Sequence, residues 1–397
     1  MSDLHLFRER AAALDAADPL AARRAEFVLD PDVLAYLDGN SLGRLPRRTQ
    51  ERLATFVREE WGGRLIRGWS EGWVDLPVAV GDEIGALVGA AAGQTVVADS
   101  TSVCLAKALH AAVSLAPGRD RLVVSARDFP TDRYLARRVA ENRGLELVEV
   151  DDVAAAIDQR TAVVLASHVD YRTGALLDLP ELTARVHAAG AVVVWDLCHS
   201  VGVVPIDLDA AGADLAVGCT YKYLNGGPGS PAFLYAAARH HPRLEQPLPG
   251  WWSADDLFAM ADEYRPAAGI RRMLTGTPPV AGLLAVQQGV SLATEVGVPA
   301  ARAKSQALTA FCIEILDELA LEVATPRDPT RRGSHVTVRL DRARAVTERL
   351  TGRGVIPDFR EPDLLRLGLA PLTTSFTEVV DGLTVLGDLL DHVGPPD

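Results

Sequence analysis

The sequence predicts an α/β protein: a large domain built on a mostly parallel sheet flanked by helices, followed by a smaller α+β domain. Three observations carry this. Between residues 99 and 235, short and continuously apolar segments alternate with helix-like ones. Strands that are apolar on both faces belong to parallel sheets covered by helices on each side. Past residue 276 the alternation gives way to two long helix-like runs, a period-two strand and a closing helix. The length, 397 residues, also exceeds what one hydrophobic core serves.

Taken in order, residues 3–27 read as one or two amphipathic helices broken near Asp18-Pro19. In Tyr36-Leu37-Asp38-Gly39-Asn40-Ser41-Leu42-Gly43, turn formers sit between apolar flanks. Residues 47–63 have a helical pattern, and Trp61, Trp69 and Trp73, half of the six tryptophans, crowd together after it. Such a cluster is either core or the lining of a ligand pocket, since tryptophan offers a flat face with a polar handle. Asp99-Ser100-Thr101-Ser102 opens a helix. Capping needs one of these residues, and the rest suit an anion such as phosphate at the helix N-terminus.

Buried strands are expected at residues 122–125, 161–167, 191–196 and 213–219, with a helix at 180–189. The first strand leads into the loop Asp128-Phe129-Pro130-Thr131-Asp132. Three domain segments follow: 1–45, helical and packing with the small domain; 46–275, the large domain; and 276–397, the small domain. The last holds helices at 280–296 and 300–319, a half-buried strand at 336–340, a helix at 341–351, a strand at 364–369 and a final helix at 375–392.

Composition excludes several classes. With 53 acidic against 40 basic residues the net charge is -13, which leaves no basic stripe for nucleic acid. Cys104, Cys198, Cys219 and Cys312 show no C-x-x-C spacing and lie in apolar runs. They read as small core residues of a reducing compartment, with no metal site. The N-terminus has early charges of both signs and no apolar signal region, and no run reaches transmembrane length. A cytoplasmic protein without a membrane partner is expected.

Lysine is scarce, occurring only at 107, 222 and 304. At 107 and 304, in helix-like runs, an arginine would serve equally as a solvated charge. Lys222 differs, because it follows a buried strand and precedes the glycine-rich turn Asn225-Gly226-Gly227-Pro228-Gly229. Arginine cannot lose a proton, whereas a desolvated lysine can, and can then form a Schiff base. The bland alternative is a lysine snorkelling beside a loop.

Parallel sheets bind ligands beyond the carboxyl ends of their strands. Ser167, Asp196 and Lys222 all fall at or just past such ends, with His199 close by, so they should share one crevice. A Schiff-base lysine, a carboxylate from a neighbouring strand and a hydroxyl-rich helix N-terminus together describe a pyridoxal 5'-phosphate site. The aldehyde needs the amine, the phosphate the helix end, and the pyridine nitrogen a carboxylate. Their order along the chain is that of the aspartate-aminotransferase-like fold type I.

Along nearly its whole length the chain resembles the kynureninase family. The resemblance rests on Leu37-Asp38-Gly39-Asn40-Ser41-Leu42-Gly43, Asp99-Ser100-Thr101-Ser102-Val103, Phe129-Pro130-Thr131-Asp132, Trp195-Asp196-Leu197-Cys198-His199-Ser200, Thr220-Tyr221-Lys222-Tyr223-Leu224-Asn225, Gly276-Thr277-Pro278-Pro279 and Ala370-Pro371-Leu372. It implies that Lys222 carries the cofactor and that Asp196 pairs with its pyridinium. Thr101, Ser102, Tyr221 and Trp251 would contact the cofactor or its phosphate, Phe129 would stack on the ring, and Asp132, Ser167 and His199 would complete the pocket. Arg366 matches the arginine that takes the substrate α-carboxylate in a bidentate pair. Ser41, Trp69, Gly276 and Thr277 would line the aryl pocket, with Thr277 also reaching the cofactor.

The implied reaction is hydrolytic cleavage of the Cβ–Cγ bond of L-kynurenine, giving anthranilate and L-alanine. Lys222 would move the α-proton and Tyr221 would protonate the β-carbon. The family also implies a homodimer with active sites at the interface. One departure stands out: many relatives place a glycine and a histidine where this chain has Trp252-Ser253-Ala254. That leaves 3-hydroxykynurenine or another substituted kynurenine open as substrate. The rival readings are a class V aminotransferase or cysteine desulfurase of the same fold, and a non-catalytic cofactor-binding protein.

Overall fold

The computed structural model describes residues 3–391. His392, expected to end the final helix, lies outside the described residues, as do the extreme ends of the first and last domain segments. The large domain is built on seven strands: β1 (Thr95–Ala98), β2 (Arg121–Ser125), β3 (Glu146–Val150), β4 (Thr161–Ser167), β5 (Val192–Asp196), β6 (Leu215–Gly218) and β7 (Ala232–Ala236). They lie in the order β1-β7-β6-β5-β4-β2-β3. Only β7 runs antiparallel to its neighbours, so the sheet is mostly parallel as expected.

The residues explain the sheet. Val163 and Leu165 of β4 join one hydrophobic core, under the helix Thr101–Leu115, and Val164 and Ala166 join the other. That second core is closed by helices Leu76–Leu87, Leu179–Ala188 and Val280–Val296 through Ile84, Val186 and Leu283. Both strand faces are therefore dry, which is why these segments lack a polar alternation. Ser167 sits opposite Asp196, and Asp196 opposite Val217, so the carboxyl ends of β4, β5 and β6 align.

Strands β1, β3 and β7 escape the sequence reading. Thr95–Ala98 is four residues long, and Glu146–Val150 is an edge strand that keeps its charges. Neither offers the long apolar run that marks the central strands.

The small domain is a four-stranded antiparallel sheet, Asp358–Arg360, Leu364–Gly368, His335–Arg339 and Glu322–Val323 in spatial order. Helices Val298–Glu318, Ala343–Thr351 and Phe376–Asp391 cover it. The N-terminal helix Asp3–Ala17 packs on this domain, with the Phe7 and Phe311 rings 5.9 Å apart. Ala35–Tyr36 adds a short parallel pairing to Val355–Ile356. The strand expected to be half-buried is buried from His335 to Val338. Its second face is covered by the large domain, where Thr337 Oγ1 donates to the Arg172 carbonyl at 2.6 Å.

The structure overturns the solvated reading of Lys107 and Lys304. Lys107 is fully buried and donates to Asp99 Oδ2 at 2.5 Å and the Met273 carbonyl at 2.8 Å. Lys304 is buried against Asp18 at 2.7 Å. A slim ammonium with three donors fits where a guanidinium fork does not. Lys107 and Lys304 are thus kept for compactness, whereas Lys222, half-buried, lies in the crevice.

At the amino edge of β6, Asp214 receives His240 Nε2 at 2.7 Å, His187 Nε2 at 2.9 Å and the Val193 amide at 2.9 Å. Burial alone would raise its pKa, but these partners outweigh it and pull the carboxyl down to about 2. A folded pKa below the unfolded one contributes stability above the unfolded value and loses it as pH falls through the folded value. Asp214→Asn is expected to cost about 2 kcal/mol at neutral pH and to flatten the loss of stability between about pH 4 and pH 2. Denaturant melts across that range check it.

Candidate active site

Lys222 lies four residues past the end of β6, in a turn clamped from both sides. The Gly43 amide donates to the Tyr221 carbonyl at 2.8 Å, and a Cβ on Gly43 would sit 2.3 Å from the Lys222 carbonyl. From the opposite side, a Cβ on Gly289 would come within 1.8 Å of the Leu224 carbonyl. Only glycine admits backbone this close. Inside the turn, Thr220 Oγ1 donates to the Pro231 carbonyl at 2.7 Å and Asn225 Nδ2 donates to the Arg44 carbonyl at 3.0 Å. The lysine backbone is held rigidly while its amine points into the crevice.

Lys222 Nζ meets His199 Nε2 at 3.0 Å. Burial, followed by the ammonium of Lys222 and the guanidinium of Arg366, pushes the His199 pKa well below its ordinary value. The imidazole is therefore neutral and accepts from the amine. Lys222 Nζ also stands 5.8 Å from the centroid of the Tyr221 ring. Burial, with Cys219 and Cys198 adding, drives the Tyr221 phenol up, so it keeps its proton at neutral pH.

Asp196, at the end of β5, accepts from the Cys198 amide at 2.8 Å and from Ser167 Oγ at 3.3 Å. Two further carboxyls crowd it. Burial, and then the charge of Asp196, raises Asp128 to about 7 and Asp132 well above the carboxylate range. Oδ2 of Asp128 and Oδ2 of Asp132 are both shut from solvent without a hydrogen-bond partner. Carboxyls sharing a dry site cannot all ionise unless a cation joins them. Asp128 was absent from the sequence expectation, although its place four residues before Asp132, just past a strand end, was a usable signal.

A third corner lies in the small domain. Arg366 is 1% exposed, and its Nε donates to Asp358 Oδ2 at 2.9 Å, with Nη2 on the same oxygen. Its Nη2 also donates to Ser41 Oγ at 3.1 Å, and its Nη1 to the Tyr171 carbonyl. Asp358 Oδ1 takes Arg360 Nη1 at 3.0 Å. Between this corner and Lys222 lies His335, fully buried, its ring 5.9 Å from that of His199. Neither Asp358 nor His335 was foreseen, because small-domain strand positions carry no motif of their own.

The structure thus joins Lys222, His199, Asp196, Ser167, Asp132 and Tyr221 in one crevice, as expected, and joins Ser41 to Arg366. Thr101 and Ser102 occupy the first turn of the helix after β1, where Ser100 Oγ caps the Val103 amide at 3.4 Å. Phe129 stands at the mouth, 40% exposed, its ring 5.2 Å from Tyr171. Trp69 packs on Trp252 at 5.3 Å, and Trp252 on Trp251 at 4.6 Å. Trp61 sits at the surface edge of the aromatic cluster, 60% exposed and stacked on Phe56, which meets Trp73 at 5.7 Å. Gly276 and Thr277 are exposed, and no hydrogen bond or ring contact among the described residues ties them to Lys222.

Pyridoxal 5'-phosphate fits these residues on an observation of its own. The orphaned oxygens beside Asp196 call for a cationic or N–H-bearing ring, and a lysine amine 3.0 Å from a neutral imidazole stands in the same crevice. Among the described residues, no group of side chains has the make-up of a metal site and no helix is long and apolar enough to cross a membrane.

Solved structures share this architecture. The apo cysteine desulfurase of Thermococcus onnurineus NA1 superposes with a TM-score of 0.83 at 19% identity, over 93% of this chain and 98% of that one. A cysteine desulfurase from Escherichia coli gives 0.80 at 18% identity, over 94% and 98%. The fold and the strand-end lysine define a protein of the aspartate-aminotransferase-like fold type I class.

Sequence comparison narrows the class. Residues 301–386 match the family model "Kynureninase C-terminal domain". The kynureninase of Pseudomonas fluorescens is 44% identical over 97% of this chain and 96% of its own length. That of Burkholderia pseudomallei (strain 1106a) is 44% identical over 97% and 95%. The chain belongs to the kynureninase family.

Proposed function

We propose that the protein is a kynureninase, which with pyridoxal 5'-phosphate hydrolyses the Cβ–Cγ bond of L-kynurenine to anthranilate and L-alanine. The observation that carries the reading is the Lys222 amine bonded to a neutral His199 in the crevice that also holds Asp196. When bound, the cofactor supplies an aldehyde for the amine and an electron-withdrawing ring.

The chain's own groups do the rest. Asp196 holds the proton of the ring nitrogen, with Ser167 Oγ and the Cys198 amide fixing its carboxylate. Thr101 and Ser102 offer a helix N-terminus to the phosphate. Arg366 grips the substrate carboxylate, which orients the α-hydrogen towards Lys222 Nζ. Lys222 Nζ takes that proton, and His199 Nε2, accepting from the amine at 3.0 Å, holds it in place. Water adds to the aryl ketone carbonyl, and as the Cβ–Cγ bond breaks the acyl carbon departs as the carboxyl group of anthranilate while the Tyr221 phenol, kept protonated, donates to the β-carbon. Trp69 and Trp251, packed against the buried Trp252, offer ring faces suited to an aryl ring. We place the protein in the cytoplasm, in tryptophan breakdown, as a homodimer.

The desulfurase alternative shares the fold but lacks its nucleophile. All four cysteines are buried, and burial pushes the Cys312 thiol up, whereas sulfur transfer needs an exposed thiolate. At the departure, Ser253 Oγ donates to the Gly250 carbonyl at 2.8 Å and meets Tyr264 Oη at 3.0 Å. Steady-state kinetics with L-kynurenine and its 3-hydroxy analogue, read by the aryl product, test the reading. Turnover of L-kynurenine is expected, and inactivity on both would remove the substrate assignment while leaving the fold intact.

A further inference from the structure

The Asp38-Gly39-Asn40-Ser41 turn contributes a serine to the Arg366 corner, and it brings a second carboxyl there as well. Asp38 is half-buried, with Oδ1 shut from solvent and without a partner. It faces Tyr36 and Ser41 from its own segment, Asp358 and Arg360 from the strand Asp358–Arg360, Arg366 from Leu364–Gly368, and Tyr223 from the Lys222 turn. Glu378, one step further, is already taken by Arg24, Arg44 and the Tyr36 amide. The corner therefore holds the guanidinium groups of Arg360 and Arg366 against the carboxylates of Asp38 and Asp358, and is formally neutral before any ligand arrives.

The geometry leaves an anion one way in. The Nε side of Arg366 is closed by the Asp358 carboxylate, whereas its Nη1 and Nη2 also hold neutral acceptors, the Tyr171 carbonyl and Ser41 Oγ. A substrate carboxylate replaces these acceptors and becomes a third anion beside two cations. Crowded carboxyls in a dry site do not all stay charged. Asp358 is bound by both arginines, while Asp38 has an orphaned oxygen, so the two are unequal.

We infer that binding of the substrate's α-carboxylate to Arg366 draws one proton from solvent onto Asp38, making that carboxyl a proton-accepting positioning residue of the receptor. Burial already raises Asp38 to about 6, with Asp358 adding and Ser41, Arg366 and Arg360 opposing. An arriving anion raises it further. Affinity for a carboxylate then falls as pH rises above about 6, until the value of the complex is passed, by up to roughly tenfold per pH unit.

The inference rests on the reading of Arg366 as the carboxylate receptor, and the test separates the two. The probe is propionate, which has the carboxylate but neither amine nor aryl group, bound to holoenzyme and to Asp38→Asn holoenzyme. Its inhibition constant against L-kynurenine is followed from pH 6 to 8.5, and proton uptake is read by calorimetry in two buffers of different ionisation enthalpy. Wild type is expected to weaken with pH and to take up close to one proton more than the variant near pH 7.5. Asp38→Asn should bind propionate at pH 8 as wild type does near pH 6.

Equal uptake and parallel pH curves in the two proteins overturn the inference while leaving Arg366 as receptor. Propionate that does not inhibit wild type overturns both. Asp38→Ser, smaller and neutral, repeats the comparison should the asparagine variant not fold.

Discussion

Lys222→Ala is expected to lower kcat by roughly 10³-fold or more, and to remove the visible absorption of the bound cofactor. The size follows from the number of duties one amine carries. On the proposed reading it would anchor the cofactor aldehyde and then move the α-proton, and neither other lysine can substitute: Lys107 is locked on Asp99 and Met273, and Lys304 on Asp18. Lys222→Arg distinguishes charge from proton exchange. It keeps a cation beside His199, yet a guanidinium does not deprotonate in a protein, so the same loss is expected. Cofactor absorption and single-turnover product formation read both variants, and a visible band surviving in Lys222→Ala would refute the role.

Why this lysine was legible in the sequence, and other parts were not, comes down to the range of the physics. β4, β5 and β6 announce themselves because both faces are buried, so local composition reports global position. Asp196 and Ser167 inherit their place from those strand ends by register alone. Lysine scarcity pointed to the right residue by an incomplete argument, since the structure uses Lys107 and Lys304 as slim buried cations while Lys222 is only half-buried. What the sequence hides is pairing between distant segments. Gly43 and Gly289, 246 positions apart, pinch the same turn, and neither has a local signature that says so. Asp358, Ser41 and Tyr171 meet at one guanidinium from three segments, and only tertiary packing brings them there.

The Arg366 corner carries the second large effect, in binding. Arg366→Lys is expected to raise KM for L-kynurenine by roughly 10²-fold while kcat changes much less. Lysine keeps a charge for Asp358, so the variant avoids the buried, unpaired carboxylate that Arg366→Ala would create. What it loses is the planar fork that offers Asp358 one pair of donors while Nη1 and Nη2 meet Tyr171 and Ser41. A point charge cannot hold the internal acid and grip a second carboxylate with the same directionality. Because the α-carboxylate is bound alike before and during proton removal, the loss falls on ground state and transition state together, which is why KM moves more than kcat. An aryl ketone without the amino-acid portion, 2-aminoacetophenone, should inhibit the variant and wild type equally. A variant whose KM stays unchanged, or which loses that ketone to the same extent as substrate, would place the carboxylate receptor elsewhere.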